Sequence, residues 1–119
     1  MLDHLSIQCA DVAVSAAFYD TVLPTIGGSR IMDFGTVIGY GNPPMPDFWL
    51  GPRATGEGFR ESHIAFTAPD RETVHRFFDA AVAAGTTSQS TSMCGNHLSA
   101  FRLAPPPTMI NDGVNRRTR

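Results

Sequence analysis

The feature that most constrains the fold of this chain is an internal repeat. The segment DHLSIQCADVAVSAAFYDTVLPTI, which starts at Asp3, aligns without a gap with SHIAFTAPDRETVHRFFDAAVAAG, which starts at Ser62. Identical residues coincide in the pairs His4 and His63, Asp11 and Asp70, Phe18 and Phe77, and Asp20 and Asp79. An ungapped repeat of this length predicts two copies of one supersecondary unit.

Each copy begins with residues that alternate as in a strand. Leu5 and Ile7 share one face, and Ser6 and Gln8 share the other face with His4. The second copy repeats the pattern, with Ile64 and Phe66 on the apolar face and His63, Ala65 and Thr67 on the other. An aspartate at a helix N-cap position then precedes apolar residues at helical spacing: Val14, Phe18 and Val22 in one copy, and Val74, Phe77, Phe78, Ala81 and Val82 in the other.

Three further strands are predicted between the two helices. RIMDF and TVIGYG flank Gly35 as a hairpin, and DFWLG follows a proline-rich turn. The fold class is therefore α+β, with two tandem β-α-β-β-β modules in one domain of residues 1–119. Module one covers about 1–53, a linker covers about 54–61, and module two covers about 62–114, with the pattern degenerate after about residue 86.

Charge and composition exclude several classes of function. The formal net charge is −2, the charges are dispersed, and all nine basic residues are Arg, so nucleic acid and anionic membranes are not expected partners and lysine chemistry is excluded. Cys9 and Cys94 have no metal-knuckle or disulfide spacing. Without an export signal or a membrane-length apolar run, we expect a cytoplasmic protein.

The four motifs DHLSIQCAD, GYG, FWLGP and HIAFTAPDR, in this order and with an internal repeat, resemble the vicinal-oxygen-chelate superfamily of glyoxalases, bleomycin resistance proteins and dioxygenases. The resemblance covers residues 1 to about 85. It implies that the strands of both modules curl into a half-open barrel whose concave face holds a ligand or a divalent metal.

Carried over residue by residue, the resemblance makes His4 and His63 metal ligands. The metal would be Zn, Ni, Mn or Fe, bound with open positions for an oxygen-rich substrate. Ser6, Gln8 and Thr67 are predicted to line the same cleft. Trp49 alternates with Phe48 on its strand, so it either packs in the core or forms an aromatic wall for a ligand.

The family's acidic ligands have no clear counterparts. The strand DFWLG offers no carboxylate except Asp47 at its edge, Asn111 occupies the position of the metal-binding Glu, and Asp112 is one residue beyond it. Two functions therefore stay open: a metal-dependent enzyme of lyase, isomerase or dioxygenase type, and a metal-free protein that binds a planar small molecule. We expect a homodimer, because an eroded open sheet would expose strand edges.

Overall fold

The computed structural model describes residues 1–56 and 64–84. Within them the chain is an α+β structure, as predicted, with a curled sheet that does not close and two α-helices. The elements are β1 (Leu5–Cys9), α1 (Val12–Val22), a 3-10 helix (Leu23–Ile26), β2 (Ser29–Asp33), β3 (Ile38–Gly41), β4 (Phe48–Pro52) and α2 (Arg71–Ala83). The strands predicted for module two beyond residue 84 lie outside the described residues.

The four strands confirm the β-α-β-β-β unit of module one. The sheet order is β1-β4-β3-β2, with β1 parallel to β4 and the other neighbours antiparallel. A parallel pair requires a long crossover, and here the crossover includes α1 and the β2–β3 hairpin. The hairpin turns at Gly35, whose positive φ of 82° suits a residue without a side chain.

Both helices begin at the predicted aspartates. The Asp11 carboxylate accepts the N–H of Val14 at 3.1 Å, and the Asp70 carboxylate accepts the N–H of Thr73 at 2.7 Å. Each bond satisfies one of the N–H groups that lack a partner in the first helical turn. The repeat therefore predicted the start of each helix correctly.

Two residues predicted on the apolar helix faces are exposed instead. Val14 is 36% exposed and Val82 is 44% exposed. In α1 the buried stripe runs through Ser15, Tyr19 and Val22, so Val14 lies beside it. In α2 the stripe runs through Thr73, Phe77 and Ala81, which rotates Val82 to the edge of the packed face.

The core lies between the two helices and one face of the sheet, and aromatic rings connect the two copies of the repeat. The ring of Phe48 lies 4.9 Å from Tyr19 and 5.2 Å from Phe66, and Phe66 lies 6.1 Å from Phe77. Leu50 is fully buried on the same strand as Phe48. Cys9 is also buried, as expected for a small core residue, and burial raises the pKa of its thiol.

A polar cluster fastens α1 to the sheet. The Tyr40 hydroxyl lies 3.0 Å from Asp20 Oδ1 and 3.3 Å from the carbonyl oxygen of Ala16, and Arg30 pairs with both Asp20 and Asp33. Burial raises the pKa of Tyr40, and the hydrogen bond to Asp20 raises it further. The Tyr40 hydroxyl therefore stays protonated and donates a hydrogen bond from the sheet to α1.

None of the helices in the described part of the chain is long and apolar enough to cross a bilayer.

Candidate functional site

The face of the sheet opposite the helices carries three of the predicted ligand-binding residues. Ser6 and Gln8 are exposed on β1, between the inward-facing Leu5, Ile7 and Cys9. Trp49 lies across from Ser6 in the register of β1 and β4. We call this surface the open face; the helices pack on the opposite, covered face.

Trp49 does not pack in the core beneath the helices. Phe48 and Leu50 are buried on the covered face, and Trp49, between them, is half-buried on the open face. A Cβ added to Gly39 would lie 2.9 Å from both Trp49 Cη2 and Pro46. The indole therefore lies against the backbone of β3, which only a residue without a side chain permits.

Phe34 extends this aromatic surface. Its ring is parallel to that of Trp49, with 5° between the planes and 6.4 Å between the centroids. Phe34 is 69% exposed. Strand β2 ends at Asp33, and the N–H of Phe34 donates to the carbonyl of Val37, so the ring is presented by the hairpin turn. We call Phe34, Pro46 and Trp49 the aromatic shelf.

The other two predicted site residues that the structure describes, His4 and Thr67, line a different surface. A cleft of about 430 Å³ opens on the covered face, at the end of the sheet where the 3-10 helix lies. Its apolar lining comes from residues that face the helices, among them Leu5, Leu23, Ile26, Tyr40, Phe48, Ile64 and Phe66. Ser6, Gln8 and Trp49 do not line this cleft.

His4 precedes β1 and is held by its neighbour in the chain. Its Nδ1 lies 2.7 Å from Asp3 Oδ2, and both side chains are largely exposed. In histidines that bind metals, a carboxylate commonly accepts a hydrogen bond from one ring nitrogen while the other binds the metal.

The described residues do not supply a complete metal site. They contain no group of three or more His, Cys, Asp or Glu side chains that could hold a metal ion. His63, Asn111 and Asp112, which the sequence places in or near the metal site, lie outside the described residues. The predicted convergence of His4 and His63 thus stays a prediction.

Sequence reasoning missed Phe34 and Pro46 as parts of the shelf. A signal was present in one case, since Phe34 is next to Gly35 of the predicted hairpin turn and therefore lies at the end of the strand pair. The contact of Trp49 with Gly39 had no local signal, because the two residues are ten positions apart and meet only through the register of β3 and β4.

Comparison with solved structures supports the fold. No protein-family model and no curated protein sequence matches the chain. The crystal structure of a glyoxalase/bleomycin resistance protein from Albidiferax ferrireducens T118 matches with a TM-score of 0.65 and 25% sequence identity. The match covers 75% of this chain and 73% of that chain. Together with the β-α-β-β-β architecture, this match supports the vicinal-oxygen-chelate fold for this chain.

Proposed function

We propose that this protein binds a planar, aromatic small molecule on the open face, against the aromatic shelf. The observation that carries the proposal is the exposed Phe34 ring held parallel to Trp49. Exposed aromatic surface that the core does not require is typical of ligand-binding sites. The proposal corresponds to the metal-free, bleomycin-resistance type of function.

The shelf is preorganised for a flat ligand. The Trp49 indole and the buried Pro46 both lie against the backbone of Gly39, and this packing restricts the indole, so less side-chain entropy remains to be lost on binding. Aromatic rings associate favourably in offset-parallel geometry, with ring centroids about 4.5–7 Å apart. A third ring, from the ligand, can continue the arrangement that Phe34 and Trp49 already adopt.

Polar groups beside the shelf would orient the ligand. Ser6 is the cross-strand neighbour of Trp49, and Gln8 lies across from Gly51 on the same two strands. Their hydroxyl and amide groups can both donate and accept hydrogen bonds. The expected ligand therefore has an aromatic plane with polar atoms along one edge.

The single tryptophan of the chain makes this proposal directly testable. Planar heteroaromatic compounds should quench or shift its fluorescence in a saturable way, and Phe34→Ala should weaken binding by about tenfold, on the order of one aromatic contact. Val82→Ala, which trims an exposed apolar side chain on α2, is the matched control. If Phe34→Ala binds every such compound as tightly as wild type does, the shelf is not the site.

A metal-dependent enzyme is the second candidate, and the Asp3–His4 pair is the observation that favours it. In this hypothesis His4 and His63 bind Zn, Ni, Mn or Fe, and the missing carboxylate leaves the affinity low. Asn111→Glu should then tighten metal binding in calorimetric titrations with Ni, Zn or Mn, and adding His4→Ala should abolish the gain. An Asn111→Glu variant that binds metal no better than wild type would remove this candidate.

We also propose that the protein is a homodimer. Among the described strands, β1 and β2 are the two edges of the sheet, and unpaired edges favour association with a second copy. Sedimentation at micromolar concentration should show the mass of a dimer, and a clean monomer would contradict the proposal.

A further inference from the structure

The cleft beside the 3-10 helix lies on the covered face of the sheet and is separate from the aromatic shelf. Its wall contains the covered-face residues Leu5, Tyr40 and Phe48, whereas the shelf residues Phe34, Pro46 and Trp49 do not line it. A ligand in this cleft would therefore be a second ligand, independent of the proposed function.

The lining of the cleft contains both apolar and polar side chains. Leu23 and Ile26 of the 3-10 helix, with Ile64 and Phe66 of the second copy, belong to the apolar lining of this cleft, whose volume is about 430 Å³. Asp3, His4, Asn42, Asp47 and Thr67 contribute the polar groups. An apolar cavity with a few polar groups selects an amphipathic molecule.

Asp47 is the best-positioned of these polar groups. Its carbonyl accepts the N–H of Leu5 at 2.8 Å, and its own N–H donates to the carbonyl of Tyr40 at 3.0 Å. The residue is thus fastened between β1 and β3. Its carboxylate lies over Gly41, where an added Cβ would stand 2.9 Å from Oδ1. The absence of a side chain at residue 41 makes room for the carboxylate.

The charges around the cleft favour a cation. Asp3 is paired with His4, whereas the structure shows no ion pair for Asp47 within the described residues. Among the described residues that line the cleft, none is an arginine. The sequence contains no lysine. An anionic ligand would meet two carboxylates, whereas a cation could pair with the exposed carboxylate of Asp47.

We propose that the cleft binds a small aliphatic ammonium compound, with its alkyl chain between Ile26 and Phe66 and its ammonium group at Asp47. The alkyl chain would bury apolar surface, which provides most of the affinity. The ammonium would donate charge-assisted hydrogen bonds to the carboxylate, which provides the selectivity.

The test compares three compounds with one carbon skeleton by calorimetry: n-hexylammonium, 1-hexanol and hexanoate. None has a ring that could stack on the shelf. We expect n-hexylammonium to bind most tightly, and Asp47→Asn to weaken it by about threefold or more while leaving 1-hexanol unchanged. Asp79→Asn removes an equal charge from α2, away from the cleft lining, and should have no effect.

A second variant tests the location of the alkyl chain. Ile26→Trp should narrow the apolar part of the cleft and weaken binding of both n-hexylammonium and 1-hexanol, with circular dichroism confirming that the variant is folded. Asp47→Asn keeps the test decisive if Ile26→Trp does not fold. Equal affinity for hexanoate and n-hexylammonium, or unchanged n-hexylammonium binding in Asp47→Asn, would overturn the proposal. Neither result would bear on the aromatic shelf, which is read by tryptophan fluorescence.

Discussion

The two faces of the four-stranded sheet use the same strands for different purposes. On β4, Phe48 and Leu50 are buried beneath the helices, whereas Trp49, between them, lies on the open face. On β3, Tyr40 is fully buried and bonded to α1, whereas Gly39 supports the Trp49 indole. Adjacent residues therefore point to opposite faces, one buried beneath the helices and the other on the face where we propose that the ligand binds, because side chains alternate along a strand.

The largest expected effect is on the covered face, where both helices insert a phenylalanine. Phe18→Ala and Phe77→Ala should each lower the free energy of unfolding by about 3–5 kcal/mol, because each removes a buried ring and leaves a cavity. Phe18 is 5% exposed and Phe77 is 2% exposed. Thermal and chemical denaturation will measure both, with Val82→Ala as an exposed control on α2. A silent Phe77→Ala would mean that the two copies do not share one core.

A smaller loss of stability is expected when the hydrogen bonds between Tyr40 and α1 are removed. Tyr40→Phe should lower the free energy of unfolding by about 1–3 kcal/mol, because the Asp20 carboxylate and the Ala16 carbonyl lose the buried hydroxyl as a hydrogen-bond donor. Tyr19→Phe is the matched control, since Tyr19 is equally buried and no hydrogen bond to its hydroxyl is seen within the described residues. Equal losses in the two variants would show that the Tyr40 hydroxyl bond does not fasten the helix.

The smallest expected effect is on the pH dependence of stability, through the N-cap of α2. The N–H of Thr73 donates to the Asp70 carboxylate, and this bond holds the pKa of Asp70 below its ordinary value. A carboxyl whose pKa is lowered by folding adds stability above its unfolded pKa, about 3.9, and this stability is lost as pH falls through the lower folded pKa. Denaturation should therefore become easier below about pH 4 in wild type, and less steeply so in Asp70→Asn.

The pH experiment has an internal reference. Asp79→Asn removes an equal charge from the same helix without removing its N-cap, and its stability should fall with acid as steeply as that of wild type. If Asp70→Asn and wild type show the same acid dependence, the cap bond does not contribute to the pH dependence of stability.

Much of the fold could be predicted from the sequence because it depends on local signals. The repeat located both helix N-caps, Asp11 and Asp70, and alternation placed Ser6 and Gln8 opposite the core. The rotation of each helix could not be predicted, because it is set by packing against the aromatic rings of the sheet. Val14 and Val82 are exposed for that reason.

The candidate sites were less predictable than the fold. Trp49 could be named from its strand, but its position against Gly39 depends on the pairing of two strands joined by a proline-rich turn. Likewise, His4 was predicted beside Ser6 and Gln8, and the structure places it at a cleft that neither of them lines. Contacts of this kind depend on tertiary packing at the ends of strands, where alternation alone does not determine direction.

The most direct test of the central claim, that a planar aromatic ligand binds the open face, is the set of intermolecular nuclear Overhauser effects from such a ligand. The claim predicts contacts from ligand protons to the rings of Trp49 and Phe34, with none to the buried rings of Tyr40 and Phe48. Contacts to Tyr40 or Phe48, with none to the shelf, would show that the ligand enters the covered face and would contradict the claim.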